Sequence, residues 1–261
     1  MIEDKSTQLR LRVFAGPNGS GKSTIINEIR ETKIRENVKL DVGIYINADD
    51  IAQHLKKGDF SITPYQVGFC AEDLINFAQS QGLLFGSFNA DQLQESFIIV
   101  GKKLKLLVQE NLDRVAQIVA RYLRHALIKA RKRFSFETVF SHPSNLEDMR
   151  LALQQGYKVY LYFVGTESPE INKYRVALRT KKGGHNVPPE RIEKRYDRSM
   201  ELLYDAAEIA YQAFFFDNSI DNAPYRLVGH FKVVGGEKKW DALPEQQETF
   251  WFKKYYKNKM E

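Results

Sequence analysis

Gly16-Pro17-Asn18-Gly19-Ser20-Gly21-Lys22-Ser23-Thr24 is the stretch on which the reading of this chain turns. It fits the pattern G-x-x-x-x-G-K-[ST], with Gly16, Gly21, Lys22 and Ser23 at the fixed positions. The glycines let the backbone turn tightly and aim its N–H groups inward at phosphate oxygens. In that arrangement Lys22 reaches the β and γ phosphates, the Ser23 hydroxyl holds magnesium, and the helix that follows adds the positive end of its dipole. Upstream, Leu9, Leu11 and Val13 alternate with polar residues, as in a half-buried strand. Downstream, Ile25, Ile26 and Ile29 fall at helical spacing. Strand, glycine-rich loop and helix come in the order the pattern requires, so a nucleoside triphosphate is expected to bind along Gly16–Thr24.

Working outward, five short apolar segments read as core strands: Gln8–Phe14, Gly43–Asn47, Phe134–Phe140, Lys158–Val164 and Ala213–Asp217. Helical patterns alternate with them. Val115, Ile118, Val119, Tyr122, Leu123, Ala126 and Leu127 form one amphipathic stripe. The alternation implies an α/β fold, a parallel sheet with right-handed crossovers and helices on both faces. Residues 55–112 exceed this minimal core. Ser61-Ile62-Thr63-Pro64 reads as a helix start, and apolar patterns around Leu74 and Leu104 read as helices. The stretch is therefore expected to be a largely helical insertion that shapes a pocket, meets a partner or only decorates the fold. Tyr225–Val234 and Lys238–Trp240 flank Gly235-Gly236 as a hairpin. Leu243-Pro244-Glu245 then opens a last helical segment ending in Lys253-Lys254-Tyr255-Tyr256-Lys257, whose charge reads as a solvated surface. Residues 1–261 are taken as one domain with a lid at about 170–200.

Composition narrows the class. With 43% hydrophobic and 28% charged residues over 261 positions, the chain reads as soluble and globular. No apolar run reaches membrane-spanning length. The polar start Met1-Ile2-Glu3-Asp4-Lys5 has no signal-peptide core. Cys70, the single cysteine, excludes an internal disulfide and suits a reducing cytoplasm. Its apolar neighbours suggest a buried structural thiol. Lys173–Arg198 holds nine Lys or Arg against three Asp or Glu, an excess equal to the net charge of the whole chain, +6. Such a concentration suits a nucleic-acid surface or a clamp around polyphosphate, and the glycine-rich loop favours the clamp.

In sheets of this type ligands bind outside the carboxyl ends of the strands. The second strand ends in Asn47-Ala48-Asp49-Asp50. A carboxylate there suits a group that orients an acceptor hydroxyl and takes its proton. Asp49 is the first choice and Asp50 the alternate, with one of the two expected to cap the helix that starts at Ile51. The third strand carries Glu137 in an apolar run, with Thr138 beside it. A glutamate buried without a partner is costly, so Glu137 is a candidate for substrate contact or for an outer-shell magnesium ligand, against a plain ion pair. His142 precedes Pro143 and reads as structural. In the basic segment Arg175 and Arg179 lie one turn apart on a helical face. Pro188-Pro189-Glu190 starts a second helix whose Arg191, Arg195 and Arg198 form a stripe opposite Ile192, Tyr196 and Leu203. Joined by Lys181-Lys182-Gly183-Gly184-His185-Asn186, the two helices look like a lid that delivers arginines to a transferring phosphoryl group.

Together these pieces resemble the zeta-toxin family of P-loop kinases, in its chromosomal branch. The resemblance rests on Gly16–Thr24, on Tyr45–Ala52, on Phe134–His142, on Arg175–Ser199 with its Gly183–Glu190 block, and on Phe216-Asp217-Asn218-Ser219. Residues 55–112 lie outside it. It implies a P-loop kinase-like parallel sheet of about five strands and a cytoplasmic enzyme using ATP with Mg2+. It implies transfer of the γ-phosphate to a hydroxyl of a small acceptor, UDP-N-acetylglucosamine, with a toxic outcome. Some members of the family are held inactive by a small helical antitoxin, which makes such a protein a candidate partner. Neither a membrane nor nucleic acid is expected as one. Carried over by motif, Asp49 matches the catalytic aspartate, Glu137 and Thr138 the substrate-contacting strand end, and Lys22 and Ser23 the nucleotide and metal contacts. Arg175 and Arg179 take the places of the lid arginines, with Arg195 in reserve. Two other readings stay open. One is the same kinase build acting on another nucleotide or a nucleic-acid end. The other is a nucleotide-binding interaction module without transfer, against which the set of Asp49, Glu137 and arginines argues.

Overall fold

Alternation of apolar and polar side chains from Arg10 onward produces the first strand of the computed structural model, which describes residues 8–36, 38–183, 187–242 and 248–260, the side chain of Arg35 excepted. The chain divides into two compact units, residues 1–42 with 137–261, and residues 43–136. The first begins with β1 (Arg10–Ala15), α1 (Lys22–Glu31) and a small antiparallel pair, β2 (Lys33–Arg35) with β3 (Val38–Lys39). Ile25, Ile26 and Ile29 are the buried stripe of α1, as their spacing predicts.

The second unit runs β4 (Ile44–Ile46), α2 (Ala48–Lys57), β5 (Phe60–Ser61), α3 (Ala71–Ser80), α4 (Ala90–Glu95), β6 (Phe97–Val100), β7 (Lys103–Leu106), α5 (Leu112–Lys129) and β8 (Phe134–Thr138). The last two residues of β8, Glu137 and Thr138, fall in the first unit. β4 and β8 pair in parallel, Ile44 opposite Phe134 and Ile46 opposite Phe136. The α5 stripe of Val115, Ile118, Val119, Leu123 and Leu127 is buried, and α5 packs on α2.

Residues 55–112 are not largely helical. Beside α3 and α4 they carry a three-stranded antiparallel sheet in the order β5-β7-β6. The pattern around Leu104 belongs to strand β7, where Lys103-Leu104-Lys105-Leu106 alternates with period two against Phe97-Ile98-Ile99-Val100. Gly101, at φ 61°, makes the two-residue turn with Lys102 possible. The proline-led start at Ser61–Pro64 yields one 3-10 turn, Thr63–Tyr65. Cys70 is exposed rather than buried, and its sulfur accepts the Asp73 N–H at 3.4 Å as the cap of α3.

The first unit resumes with α6 (Ser144–Gln154), β9 (Lys158–Gly165), α7 (Pro169–Lys181), α8 (Pro189–Glu201), α9 (Leu203–Ile209), β10 (Gln212–Asp217), β11 (Arg226–Val234), β12 (Glu237–Trp240) and α10 (Phe250–Tyr255). Its strands lie in the order β12-β11-β10-β9-β1. β1, β9 and β10 are parallel, and the expected hairpin, β11 with β12, extends them antiparallel. One face of this sheet buries Leu11, Val13, Val159, Leu161, Phe163, Ala213 and Phe215 completely. Each large apolar side chain removed from water there contributes about 1.5–3 kcal/mol. α6 and α9 pack on β9. The short α10 is fixed by side chains far away in sequence. Glu167 accepts the N–H groups of Phe250 and Trp251 at 3.0 and 3.2 Å, and Trp251 Nε1 donates to the buried Asp217 at 3.0 Å. The helix start expected at Leu243–Glu245, the polar start Met1–Lys5 and the link residues Gly184, His185 and Asn186 lie outside the described residues. No helix among the described residues is long and apolar enough to cross a membrane.

Candidate active site

β1 delivers the glycine-rich loop at its carboxyl end, and α1 begins at Lys22. Gly16, Gly19 and Gly21 all have positive φ, at 142°, 78° and 92°. A side chain at any of them is strained, and the added carbon also has no room. At Gly16 it meets the Val164 carbonyl at 2.2 Å, at Gly19 the Asn172 carbonyl at 2.7 Å, and at Gly21 the Asn218 amide at 2.2 Å. The loop is thus built for a backbone that curls closely against its neighbours, as phosphate binding requires. Lys22 is buried, and its ammonium donates to Pro17 O at 2.9 Å.

Two asparagines with no role assigned from sequence hold the loop. Asn172, fully buried in the first turn of α7, donates to Asn18 O at 2.5 Å and accepts the Thr166 hydroxyl. Asn218, just past β10, donates to Ser20 O at 2.8 Å. Asn218 sits in the Phe216–Ser219 stretch, but Asn172 carries no local signal: its partner is 154 positions away.

Ser23 and Glu137 meet, hydroxyl to Oε1 at 3.5 Å, although they are 114 positions apart. Glu137 therefore stands beside the hydroxyl that the loop pattern assigns to magnesium. Thr138 is turned elsewhere. Its hydroxyl accepts the Phe140 N–H at 3.1 Å and donates to Asn145 at 3.3 Å, holding Phe140 at φ 60°. His142 caps the start of α6 through Ser144, at 2.9 Å to the hydroxyl and 3.2 Å from the N–H.

The arginine helices form the expected pair. Val176 of α7 packs with Val187 and with Ile192 of α8. Lys173 bonds Glu193 across the pair at 2.6 Å, which raises its pKa. Glu170 lies in the first turn of α7, and the Ser168 hydroxyl lowers its pKa. Arg175 and Arg179 share one face and line an open concavity of about 530 Å³ with Leu178, Lys182 and Gly183. Arg175 is already engaged. Its Nε and Nη2 donate to Asp221 at 2.7 and 2.6 Å and its Nη1 to Asn218 O at 2.6 Å. Arg195 reaches the loop itself, Nη1 to Asn18 Oδ1 at 3.4 Å.

In the other unit, Asp49 and Asp50 are exposed in the first turn of α2. Neither is the cap of that helix. Asn47 is, accepting the Asp49 N–H at 2.8 Å. An amide two residues earlier already has the extended backbone a cap requires, which leaves both carboxylates out of that role. Among the described residues, no group of three or more His, Cys, Asp or Glu side chains is placed to hold a metal ion.

No family model matches the chain. Among solved structures, it resembles the AvrRxo1-ORF1:ORF2 complex with ATP at 16% identity and a TM-score of 0.47, covering 92% of this chain and 62% of that one. The chain thus spans less than two thirds of that protein's length. It also resembles the PezAT chromosomal toxin–antitoxin system of Streptococcus pneumoniae, at 14% identity and a TM-score of 0.45, over 83% of this chain and 70% of that one. An uncharacterized protein of Haemophilus influenzae is 31% identical over 114 residues, which are 42% of this chain and 80% of that protein. The chain belongs to the family of that Haemophilus influenzae protein.

Proposed function

We propose that this chain is an ATP-dependent phosphotransferase of the zeta-toxin type, moving the γ-phosphate to a hydroxyl of a small acceptor, UDP-N-acetylglucosamine. The observation that carries the reading is the loop with its three positive-φ glycines, closed by Lys22 and by the Ser23–Glu137 contact at 3.5 Å. Two hard oxygen donors side by side suit Mg2+, which keeps several waters and takes the rest of its shell from phosphate. Ser23 would hold the ion directly and Glu137 through water. Bound there, magnesium would neutralise charge that develops on the transferring phosphoryl group. Lys22 would bind the β and γ phosphates, and the α7–α8 arginines would supply further positive charge, Arg195 through its contact with Asn18 of the loop and Arg175 and Arg179 from the concavity they line. The acceptor-side role of Asp49 rests on the resemblance and on its exposure at the start of α2. The resemblance also supplies the acceptor's identity, the cytoplasmic location and a small antitoxin as partner.

The test is a product assay. Purified protein is incubated with labelled ATP, magnesium and UDP-N-acetylglucosamine, and the product is read by mass. A phosphorylated sugar nucleotide is expected, and Asp49→Asn is expected to lower its formation by about a thousandfold, the scale of general-base loss with its positioning. Near wild-type rates in Asp49→Asn would remove Asp49 from the mechanism. A labelled product only from another acceptor in a metabolite extract would replace the substrate while keeping the reaction class.

A further inference from the structure

We propose that strand β6 is a docking edge that takes an extended, acidic segment of a partner protein as an added strand. The inference stands apart from the phosphotransferase reading, because every residue it uses lies in the unit of residues 43–136.

Exposed strand edges offer unpaired backbone groups, and proteins protect them with charge, proline or brevity. β12, at the end of the other sheet, is protected in this way by Glu237, Lys238 and Lys239. β5 is protected by its length of two residues. β6 has neither device. It reads Phe97-Ile98-Ile99-Val100, without charge or proline, and no further strand pairs with it among the described residues. Phe97 is buried inward, while Ile98 and Val100 are 47% and 57% exposed. An uncharged β-branched edge with its outer side chains in water is a template for another strand.

The charge around it selects the occupant. Lys105 lies directly opposite Ile98 and Lys103 opposite Val100, so both lysines share the outer face with the two exposed apolar residues. From Ser96 to Leu107 the hairpin holds three lysines and no acidic residue. Lys103 pairs with Asp59 at 3.0 Å. A strand added beside β6 lies about 10 Å from β7, which is the combined reach of a lysine and a glutamate side chain. Apolar residues against Ile98 and Val100, flanked by carboxylates, would therefore satisfy both the edge and the lysines. A second copy of this chain would bring a second set of lysines and no carboxylate, so it fits less well.

The test uses the full chain and a fluorescein-labelled peptide, Glu-Thr-Val-Thr-Val-Thr-Glu, whose two valines and two glutamates share one face of an extended strand, followed by anisotropy. Saturable binding is expected, weakened several-fold when salt rises from about 50 to about 500 mM. The double variant Ile98→Lys/Val100→Lys changes only exposed side chains, and far-UV circular dichroism checks its fold. It is expected to weaken binding at least about tenfold, as loss of the apolar contacts and new edge charge both oppose pairing. Lys105→Glu is expected to weaken it less, with a smaller salt dependence. The proposal is overturned if the peptide does not bind, if the double variant binds it equally, or if a peptide with lysine at both ends binds as well. It is also overturned if sedimentation shows a dimer that the double variant abolishes, since the occupant would then be a second copy.

Discussion

Replacing Asn172 by alanine tests whether side chains outside the loop hold it open for phosphate. Asn172 is fully buried, donates to Asn18 O at 2.5 Å and accepts the Thr166 hydroxyl. Alanine removes both partners at once. A buried polar group left unmet costs about 1–3 kcal/mol, so the two together set a range of about 2–6 kcal/mol. The Thr166 hydroxyl can rotate to recover part of its loss, which places the expected value near 3 kcal/mol. At about 2–4 °C per kcal/mol for a unit of this size, the melting temperature falls by about 6–12 °C. Nucleotide binding falls further than stability alone requires, because the Asn18 carbonyl is free to turn toward the phosphates. If half of the 3 kcal/mol is felt in the bound state, affinity for MgATP drops about tenfold. Scanning calorimetry reads the first effect, and titration calorimetry at a temperature where both proteins are folded reads the second. Asn172→Asp separates the two contacts. It keeps an acceptor for Thr166 but sets a carboxylate against Asn18 O, so it is expected to bind MgATP more weakly than the alanine variant. A melting temperature within about 1 °C of wild type together with unchanged affinity would refute the strut.

Glu137→Gln keeps the shape beside Ser23 and removes the charge, so the magnesium concentration for half-maximal ATP turnover is expected to rise about tenfold while magnesium-free nucleotide binding stays unchanged. An unchanged magnesium midpoint would take Glu137 out of the metal's surroundings. Asp221→Ala releases Arg175 from an ion pair that is partly exposed and worth about 1 kcal/mol, and ATP affinity is expected to rise about two- to fivefold as the guanidinium becomes available to phosphate. A fall instead would assign the pair to positioning Asn218. Burial holds Tyr65, Tyr122, Tyr162, Tyr196, Tyr225 and Tyr256 neutral past their ordinary range, and three of them are pushed to about 12. Tyr65 is pushed to about 12 by burial and then Asp50, Tyr122 to about 12 by burial and then Asp73, and Tyr225 to about 12 by burial and its bond to Glu28. Their folded values lie above the unfolded value near 10, so the stability they contribute is complete below pH ~10 and is lost as pH rises toward 12. Spectrophotometric titration is expected to show these three ionising after the exposed tyrosines, and a single ionisation centred near pH 10 in the folded protein would contradict it.

Much of the fold was legible because its signals are local. The loop pattern occupies nine consecutive residues, and the five core strands are short apolar runs whose periodicity needs no partner to be seen. The hairpin at Gly235-Gly236 and the proline-led start of α8 are equally local. The misreadings have specific causes. Around Leu104 the apolar pattern fits a helix as well as a period of two, and the hairpin turn at Gly101-Lys102 between Phe97–Val100 and Lys103–Leu106 decides for the strand. Cys70 sits between apolar residues in sequence, but its place at the start of α3 turns it to solvent. The cap of α2 fell to Asn47 because the chain is still extended there. Glu167 and Asp217, which fix α10, could not be read at all: their partners lie 83, 84 and 34 positions away.

The same distinction explains why the donor half of the site is better defined than the acceptor half. On the proposed reading phosphate would be bound by backbone N–H groups of one contiguous loop, so the loop's carbonyls would face away from the anion, and any that is buried would need a donor. Four of the loop's carbonyls have such donors. Pro17 O receives the Ser20 N–H at 3.3 Å and the Lys22 ammonium, Asn18 O receives Asn172, Ser20 O receives Asn218, and Gly21 O receives the helix N–H groups of Thr24 and Ile25 at 3.1 and 3.4 Å. Among these donors only Lys22 is one that the loop pattern also assigns to phosphates. On the proposed reading, nucleotide would draw the Lys22 ammonium from Pro17 O toward the β and γ oxygens, while the two asparagines and the helix would keep the carbonyls of Asn18, Ser20 and Gly21 turned outward. A loop held by neutral amides on the outside and by one charge within would keep its shape without nucleotide, the preorganisation that electrostatic stabilisation of a transferring phosphoryl group would demand.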